Sequence, residues 1–342
     1  MAKNTTSDQA THRFLIRTCV HEGSILHPKD IPERVVDGRN GAKMLKEYYQ
    51  WATDTFSDDE NTHHISLGDE IIYYCPQATD LLSKRPADTT YLVGNHEYHL
   101  LNENEKKTKT SAREAFQQAT GSTGTSHFMT FGPIGAVLLN PTYYEETTLV
   151  PGKNMLDENI DLAKKPHHRI LRNYIPEQDL DRMILTYKNQ TEPISAWIAL
   201  SHTPPSRKLK NFKGEHITQA SLPERLICNG TPPLGITPDK NGEYTLIHTE
   251  TALKKLRKAI GEDTPYIGVF YGDEHPQTLQ KYGDAYILPA FSKAADKHGN
   301  TIPAQGNIIE VVYKNGKTSV THHQMVNRAA KQIEKQDLEL VA

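Results

Sequence analysis

Hydrophobic positions along the chain gather into short apolar runs, which alternate with segments that carry apolar residues at helical spacing. An unbroken apolar run predicts a buried strand, whereas helical spacing predicts a helix packed on a sheet. The order of these elements predicts an α/β fold. The predicted helices include Ala42 to Phe56, Pro176 to Lys188 and Thr249 to Ile260. The clearest predicted strands are Phe14 to Thr18, His64 to Leu67, Tyr91 to Val93, Ile134 to Leu139, Ile194 to Leu200 and Tyr266 to Tyr271.

The two ends of the chain and one internal segment depart from this pattern. Residues 1–12 are polar and have no hydrophobic signal core, which predicts a disordered leader. The region around 204–245 is rich in Pro, Gly and Lys, and we expect a loop insertion with one short helix near Leu222 to Ile227. Residues 323–342 are predicted to form a C-terminal helix. One domain over residues 13–322 is therefore expected between the leader and that helix.

Composition and charge narrow the class of protein. The 342 residues carry a net charge of -3, with 36% hydrophobic and 24% charged residues, as is typical of a soluble globular protein with an ample core. This charge does not favour a nucleic-acid partner, and no apolar run is long enough to cross a bilayer. Three scattered cysteines cannot form a disulfide framework, so a reducing, cytoplasmic location is expected. The 17 histidines exceed what a surface needs, and some are expected to be ligands.

Polar groups that can bind metals follow five of the predicted strands. The strand Tyr91 to Val93 runs into Gly94, and three polar side chains then arrive without a spacer. A turn after a strand would explain one such motif, but the same construction recurs at the other strand ends. Because ligand sites in α/β sheets gather beyond the carboxyl ends of strands, we expect these groups to converge. The groups are Cys19, His21, Asp69, Asn95, His96, His202, Asp273 and His275.

This set of groups favours a two-metal site. Imidazole and carboxylate ligands together suit first-row divalent metals such as Mn, Fe or Zn. Without His96, seven candidate ligands remain, and one of them is a carboxylate able to bridge two ions. Two metals held about 3.5–4 Å apart can clamp the attacking and leaving oxygens of an in-line displacement.

The motifs, in their order along the chain, resemble the calcineurin-like metallophosphoesterase superfamily. The family signature reads Asp-x-His, Gly-Asp-x-x-Asp, Gly-Asn-His-Asp/Glu, a lone His and Gly-His-x-His, and the resemblance spans residues 14 to 290. It implies a four-layer αββα sandwich of two mixed sheets, two divalent metal ions and hydrolysis of a phosphoester. Gly-Asn-His-Glu is similar to the protein Ser/Thr phosphatase branch and slightly favours a phosphomonoester, either a small molecule or a phosphoprotein. A phosphodiesterase or nuclease of the same superfamily is the alternative, and the oligomeric state is left open.

The family also implies a role for each matching residue. His96 would be catalytic, as a general acid or as a positive stabiliser of the phosphoryl group outside the metal shell. Glu97 follows it directly and could orient it. Asp69 would bridge both metals. The other ligands divide between the two ions, with His21 and His275 on the first and Asn95 and His202 on the second.

The chain departs from the family pattern at three positions. Cys19 replaces an Asp, and it is either a thiolate ligand for a softer ion such as Zn or Fe, or a small buried residue. Asp273 replaces the first His of the last motif, where a carboxylate can still ligate and an ordinary turn is the alternative. Ile72 replaces an Asp that would support the ligands from outside. These changes leave the metal identity open and keep a degenerate, non-catalytic binding module as a rival hypothesis.

Other motifs have competing interpretations. The basic run that begins Arg207-Lys208 follows the His202 motif. Charge runs are usually solvated faces, whereas the functional alternative is that Arg207 or Lys208 binds a substrate phosphate. His202 itself could be a capping or loop residue. A cysteine-nucleophile phosphatase is excluded, because Ile25 stands where its phosphate loop needs an arginine.

Overall fold

In the computed structural model, the residues described are 10–20, 41–56, 60–70, 89–95, 97, 117–141, 147–157, 160–161, 171–205, 208–210, 216–274, 276, 278–295, 301–326 and 329–338. The helices are α1 (Gly41–Phe56), α2 (Glu177–Lys188) and α3 (Thr249–Ile260), with a short 3₁₀ helix at Leu171–Asn173. The strands of the first half are β1 (His12–Arg17), β2 (Thr62–Ser66), β3 (Thr90–Tyr91), β4 (His127–Phe131), β5 (Ile134–Leu139), β6 (Thr148–Leu149), β7 (Met155–Asp157) and β8 (Ile160–Asp161). The remaining strands are β9 (Tyr174–Pro176), β10 (Ala196–Ser201), β11 (Lys208–Lys210), β12 (His216–Ser221), β13 (Arg225–Asn229), β14 (Tyr244–His248), β15 (Tyr266–Tyr271), β16 (Gln280–Tyr282), β17 (Ala285–Ile287), β18 (Ser292–Ala295), β19 (Thr301–Lys314), β20 (Lys317–Val326) and β21 (Ala329–Leu338).

Two mixed sheets form the frame of the fold. The first has the strand order β21-β20-β19-β1-β2-β3, with β18 beside β19, and the second has the order β16-β17-β15-β10-β5-β4. In both sheets the central strands run parallel, β1 with β2 and β10 with β5 and β15. Parallel neighbours place their carboxyl ends along the same edge, and the candidate ligands follow these ends. A separate antiparallel sheet, β6-β13-β14-β9, lies beside this frame.

The two sheets pack face to face and carry helices on their outer faces. Phe14 of the first sheet and Leu138 of the second belong to the buried cluster between them. Trp197 packs on the other face of the second sheet with Leu256 of α3, and α1 covers the first sheet through Tyr48. Central strands are thus buried on both faces, which is why they read as unbroken apolar runs. The expected four-layer αββα sandwich of two mixed sheets is confirmed.

Two helix predictions are wrong where the structure describes their residues. The C-terminal helix expected over residues 323–342 is instead the end of β20 followed by β21, which pair antiparallel. The open edge of β20 supplies backbone partners that outweigh the local helix propensity of this segment. The short helix expected near Leu222 to Ile227 is absent, since residues 222–224 are in neither helix nor strand and Arg225 begins strand β13, which pairs with β14. Within the insertion expected around 204–245, strands β11 to β14 are present. Residues 1–9 of the expected leader lie outside the described residues.

Among the helices that the structure describes, none is long and apolar enough to cross a membrane.

A partly buried charged cluster on the first sheet makes stability depend on pH. Glu310 accepts a hydrogen bond from Arg13 Nε at 2.7 Å, and its other oxygen lies 2.7 Å from His323 Nε2. Burial raises the pKa of Glu310, but the hydrogen bonds from His323 and Arg13 outweigh burial and hold that pKa below its usual range. A folded pKa below the unfolded value, about 4.3, stabilises the fold above that pH. The contribution is lost as the pH falls through the folded pKa.

We therefore expect Glu310→Gln to lower the free energy of unfolding by on the order of 1 kcal/mol at neutral pH. The difference from wild type should shrink below about pH 4. Urea unfolding at the two pH values measures it, and Glu262→Gln, at an exposed position, is the control. A difference between wild type and Glu310→Gln that stays constant with pH would contradict the assignment.

Candidate metal centre

Three of the strand ends hold a polar residue in left-handed backbone. Cys19, Asp69 and Asp273, which follow β1, β2 and β15, have φ values of 58°, 55° and 65°. Left-handed backbone is uncommon for residues other than glycine and persists where the surrounding structure enforces it, often at functional sites. Among the described residues, Asn315 is the other non-glycine with positive φ, and it lies in the turn between β19 and β20. Backbone geometry alone therefore marks the edge of the sheets where the candidate ligands lie.

Glycines and one buried carboxylate hold the loops of this edge together. A Cβ added to Gly68 would overlap the backbone nitrogen of Gly94 and would lie 2.6 Å from its Cα. The buried Glu97 accepts hydrogen bonds from the backbone N–H of Asp69 at 3.0 Å and of Gly94 at 2.7 Å. On the other side, a Cβ on Gly272 would overlap the side chain of Thr18. These contacts fix the strand ends against each other without long side chains.

The side chains of three predicted ligands meet at one point, and two more predicted ligands contact one of them, His202. Cys19, Asp69 and His202 are buried, and one ligand atom from each lies within 4.8 Å of the others. His202 Nε2 lies 3.2 Å from Asp69 Oδ2 and 3.1 Å from Asn95 Oδ1. Asp273 Oδ1 lies 4.0 Å from the same nitrogen. Residues far apart in sequence and drawn from both sheets therefore form one cluster.

His202 is oriented by the backbone and held by negative charge. Its Nδ1 lies 2.9 Å from the Leu67 carbonyl, an acceptor, so Nδ1 carries a proton and Nε2 faces the carboxylates. Burial lowers the pKa of His202, but the charges of Asp69, Asp273 and Glu97 outweigh it and raise the pKa to about 9. The raised pKa means that Nε2 also holds a proton at neutral pH. A cation bound at Nε2 would replace this second proton.

Cys19 is a buried thiol whose environment opposes ionisation. Burial raises the pKa of Cys19 well above its usual range, and the negative charge of Asp69 raises it further. Thr18 Oγ1 lies 3.2 Å from Sγ. In the absence of a cation the thiol is therefore protonated at neutral pH, and ligation requires a metal ion to displace the proton.

Three charged residues at or beside the centre were not predicted from the sequence. Arg172 Nη1 lies 3.5 Å from Asp273 Oδ1, and Thr203 Oγ1 donates to the Arg172 carbonyl at 2.7 Å. Arg172 lies in a short 3₁₀ helix outside every motif, so no sequence signal marks it. Arg17 and Glu70 form a fully buried ion pair at 3.1 Å, adjoining the segments of Cys19 and Asp69. An arginine inside the apolar run of β1 was a signal for this pair.

The structure does not describe the side chains of the other predicted site residues. His21, His96, His275 and Arg207 lie outside the described residues. For Lys208 only the backbone is described, in strand β11. The roles expected for these residues remain predictions.

The donors that are present fit a divalent metal ion. A thiol, an imidazole and a carboxylate meet at one point, with an amide oxygen and a second carboxylate beside the imidazole, and together they suit ions such as Zn, Fe or Mn. Asp69 is buried, and the carboxylates near His202 raise the pKa of that histidine. The cluster therefore favours a positive charge. A bound cation would supply that charge at this point.

Cobalt loading provides a direct test of thiolate ligation. We expect the Co²⁺-loaded chain to show a thiolate-to-cobalt charge-transfer band, since Cys19 Sγ belongs to the cluster. Cys19→Ser should lose the band, whereas Cys228→Ser should keep it, because Cys228 is also a buried free cysteine but lies in the separate β13 strand. The absorption spectrum is the measurement, and a band that survives in Cys19→Ser would remove this residue from the ligand set.

Comparisons with known proteins give fold-level likenesses only. No protein-family model matches the chain, and no curated protein matches it. A double mutant of Vps29 from Entamoeba histolytica is similar over 95% of this chain and 99% of that chain, with 9% identity and a TM-score of 0.33. Phosphopantetheinyl hydrolase from Mycobacterium tuberculosis is similar over 83% and 89%, with 12% identity and a TM-score of 0.37. NAD nucleotidase from Haemophilus influenzae is similar over 96% of this chain and 50% of that chain, with 11% identity and a TM-score of 0.36. These likenesses carry no inference about activity, which must rest on the residues of the chain itself.

Proposed function

We propose that the chain is a metal-dependent phosphoester hydrolase with a dinuclear centre. The observation that carries this proposal is that five ligand-type side chains gather at the edge of two sheets, three of them within mutual ligand reach and two beside His202. Three of these residues lie in left-handed backbone, which is uncommon for residues other than glycine and clusters at functional sites.

The proposed ligands come from the described cluster and from its neighbours in sequence. The described side chains would be joined by His21 and His275, which follow Cys19 and Asp273 in the same motifs. When bound, two divalent cations, Mn, Fe or Zn, supply Lewis acidity toward the phosphoryl oxygens and lower the pKa of a water molecule.

Residues of the chain prepare the site for this reaction. The Leu67 carbonyl holds the His202 ring so that Nε2 points at Asp69, and Glu97 fixes the Asp69 backbone. Arg172 places a positive charge beside Asp273, where it can stabilise a phosphoryl oxygen. His96 would donate a proton to the leaving oxygen or stabilise phosphoryl charge.

The proposed substrate is a phosphorylated small molecule or a phosphoprotein. A monoester is slightly favoured over a diester by the Gly-Asn-His-Glu motif. Arg207 or Lys208 would bind a phosphate group of the substrate at the rim.

A non-catalytic metal-binding or interaction module is the second candidate. It is favoured by Cys19 and Asp273, which depart from the family pattern. A centre of this kind would bind metal tightly and turn over no ester.

Two assays on the purified chain separate these functions. Metal analysis reports the ions bound, and turnover of p-nitrophenyl phosphate against bis-p-nitrophenyl phosphate reports the ester class. We expect bound metal and faster cleavage of the monoester. Bound metal without turnover of either ester would support the non-catalytic module, and the absence of both would overturn the metal centre.

A further inference from the structure

A groove of about 540 Å³ lies on the outer face of the second sheet, beside α3, and none of the five clustered ligand residues is part of its lining. Aromatic rings form much of its wall, namely Trp197, Tyr266, Tyr271 and Tyr282. Its size falls within the roughly 300–1,000 Å³ of small-molecule sites, which are largely apolar with a few polar groups. No step of the proposed hydrolysis uses this groove.

The most buried aromatic ring of the groove lining, Trp197, has an unused hydrogen-bond donor. Trp197 is 1% exposed and stacks on Tyr266, with 4.2 Å between ring centroids. Its indole N–H has no acceptor among the residues that the structure describes. Buried indole N–H groups normally find a partner, so this one points to an acceptor supplied by a ligand.

The outer rim of the groove carries an aromatic ring that the fold does not bury. Tyr282 is 64% exposed and lies on the edge strand β16. A ring in this position gains little from folding, but it offers a flat face on which a second planar group can stack.

The charges at the rim are already paired. Arg257 Nη1 lies 3.4 Å from Asp284, and Lys254 Nζ lies 2.9 Å from Glu250. All four residues line the groove, and their charges cancel. No unpaired cation in this lining is available for a phosphate or carboxylate, which favours an uncharged ligand.

We propose that the groove binds an uncharged, planar nitrogen heterocycle. The flat ring would stack against the aromatic wall and Tyr282, and a ring nitrogen or carbonyl would accept the Trp197 N–H. This site needs no metal and is independent of the proposed hydrolysis.

Adenosine, an uncharged nucleoside with a planar base, is the probe. Trp51 and Trp197 are the two tryptophans of the chain, so in Trp51→Phe the indole emission reports on the groove alone. We expect a saturable change in Trp197 emission with adenosine in the presence of EDTA, which removes any contribution of the metal centre.

Tyr282→Ala should weaken adenosine binding about tenfold, as for the loss of one base-stacking partner. Leu234→Ala, at a 56% exposed position outside the groove lining, should leave the affinity unchanged. Equilibrium dialysis with the wild-type tryptophans in place gives the same comparison if Trp51→Phe does not fold. Absence of saturable binding, or equal affinities for Tyr282→Ala and Leu234→Ala, would overturn the proposal.

Discussion

Asp69→Asn is expected to remove bound metal and to lower phosphoester turnover by at least about a hundredfold. This loss is larger than is typical for residues that only hydrogen-bond to metal ligands. Asp69 lies at the centre of the cluster, 3.2 Å from His202 Nε2 and within ligand reach of Cys19. Asparagine has nearly the same shape and tolerates left-handed backbone, so the fold should persist while the negative charge of the Asp69 carboxylate is lost. Metal content and turnover of p-nitrophenyl phosphate, measured on the same sample, test this expectation.

The matched control is Asp263→Asn, an equal change of charge at an exposed position. It should retain both metal and activity. If Asp69→Asn retains its metal, the cluster is a network of hydrogen bonds and the hydrolase proposal fails.

Gly68→Ala is expected to destabilise the fold by on the order of 4 kcal/mol or to prevent folding. Two physical effects add in this variant. Gly68 has a φ of 101°, which strains a residue with a Cβ by about 1–2 kcal/mol. The added atom also overlaps the Gly94 backbone, and such overpacking costs about 1–3 kcal/mol or more because backbone cannot move aside easily. The free energy of unfolding in urea is the measurement.

Gly152→Ala isolates the first of these effects. Gly152 also has positive φ, at 74°, but a Cβ there meets no atom within 4 Å. This control should lose only about 1–2 kcal/mol. Similar losses in the two variants would show that the close approach of Gly68 and Gly94 does not constrain the fold.

The sequence predicted correctly the strands that are buried on both faces. Strands β5, β10 and β15 are covered on both faces, so their apolar runs identified them without ambiguity. Edge strands carry no such signal. The segment of β21 has helical composition and becomes a strand because β20 offers it backbone partners, a contact that local sequence does not encode.

The candidate centre was predicted in part for a similar reason. Asp69 and His202 closely follow buried strands. Their positions could be predicted because the strands themselves could be predicted. Arg172 reaches Asp273 from a short helix on a different part of the chain. Its position depends on how separate segments pack, and no spacing in the sequence reports that packing.

The cluster joins residue 19 to residue 273. The two sheets meet beside it, where His202 Nδ1 lies 2.9 Å from the Leu67 carbonyl. Contacts this distant in sequence form late, because the intervening chain must first be ordered. During synthesis, a nascent chain that has not yet emerged past Asp273 lacks a complete set of donors. In the proposed hydrolase, metal would therefore be acquired only after the second half is translated, and metal binding would report that the two halves have already docked.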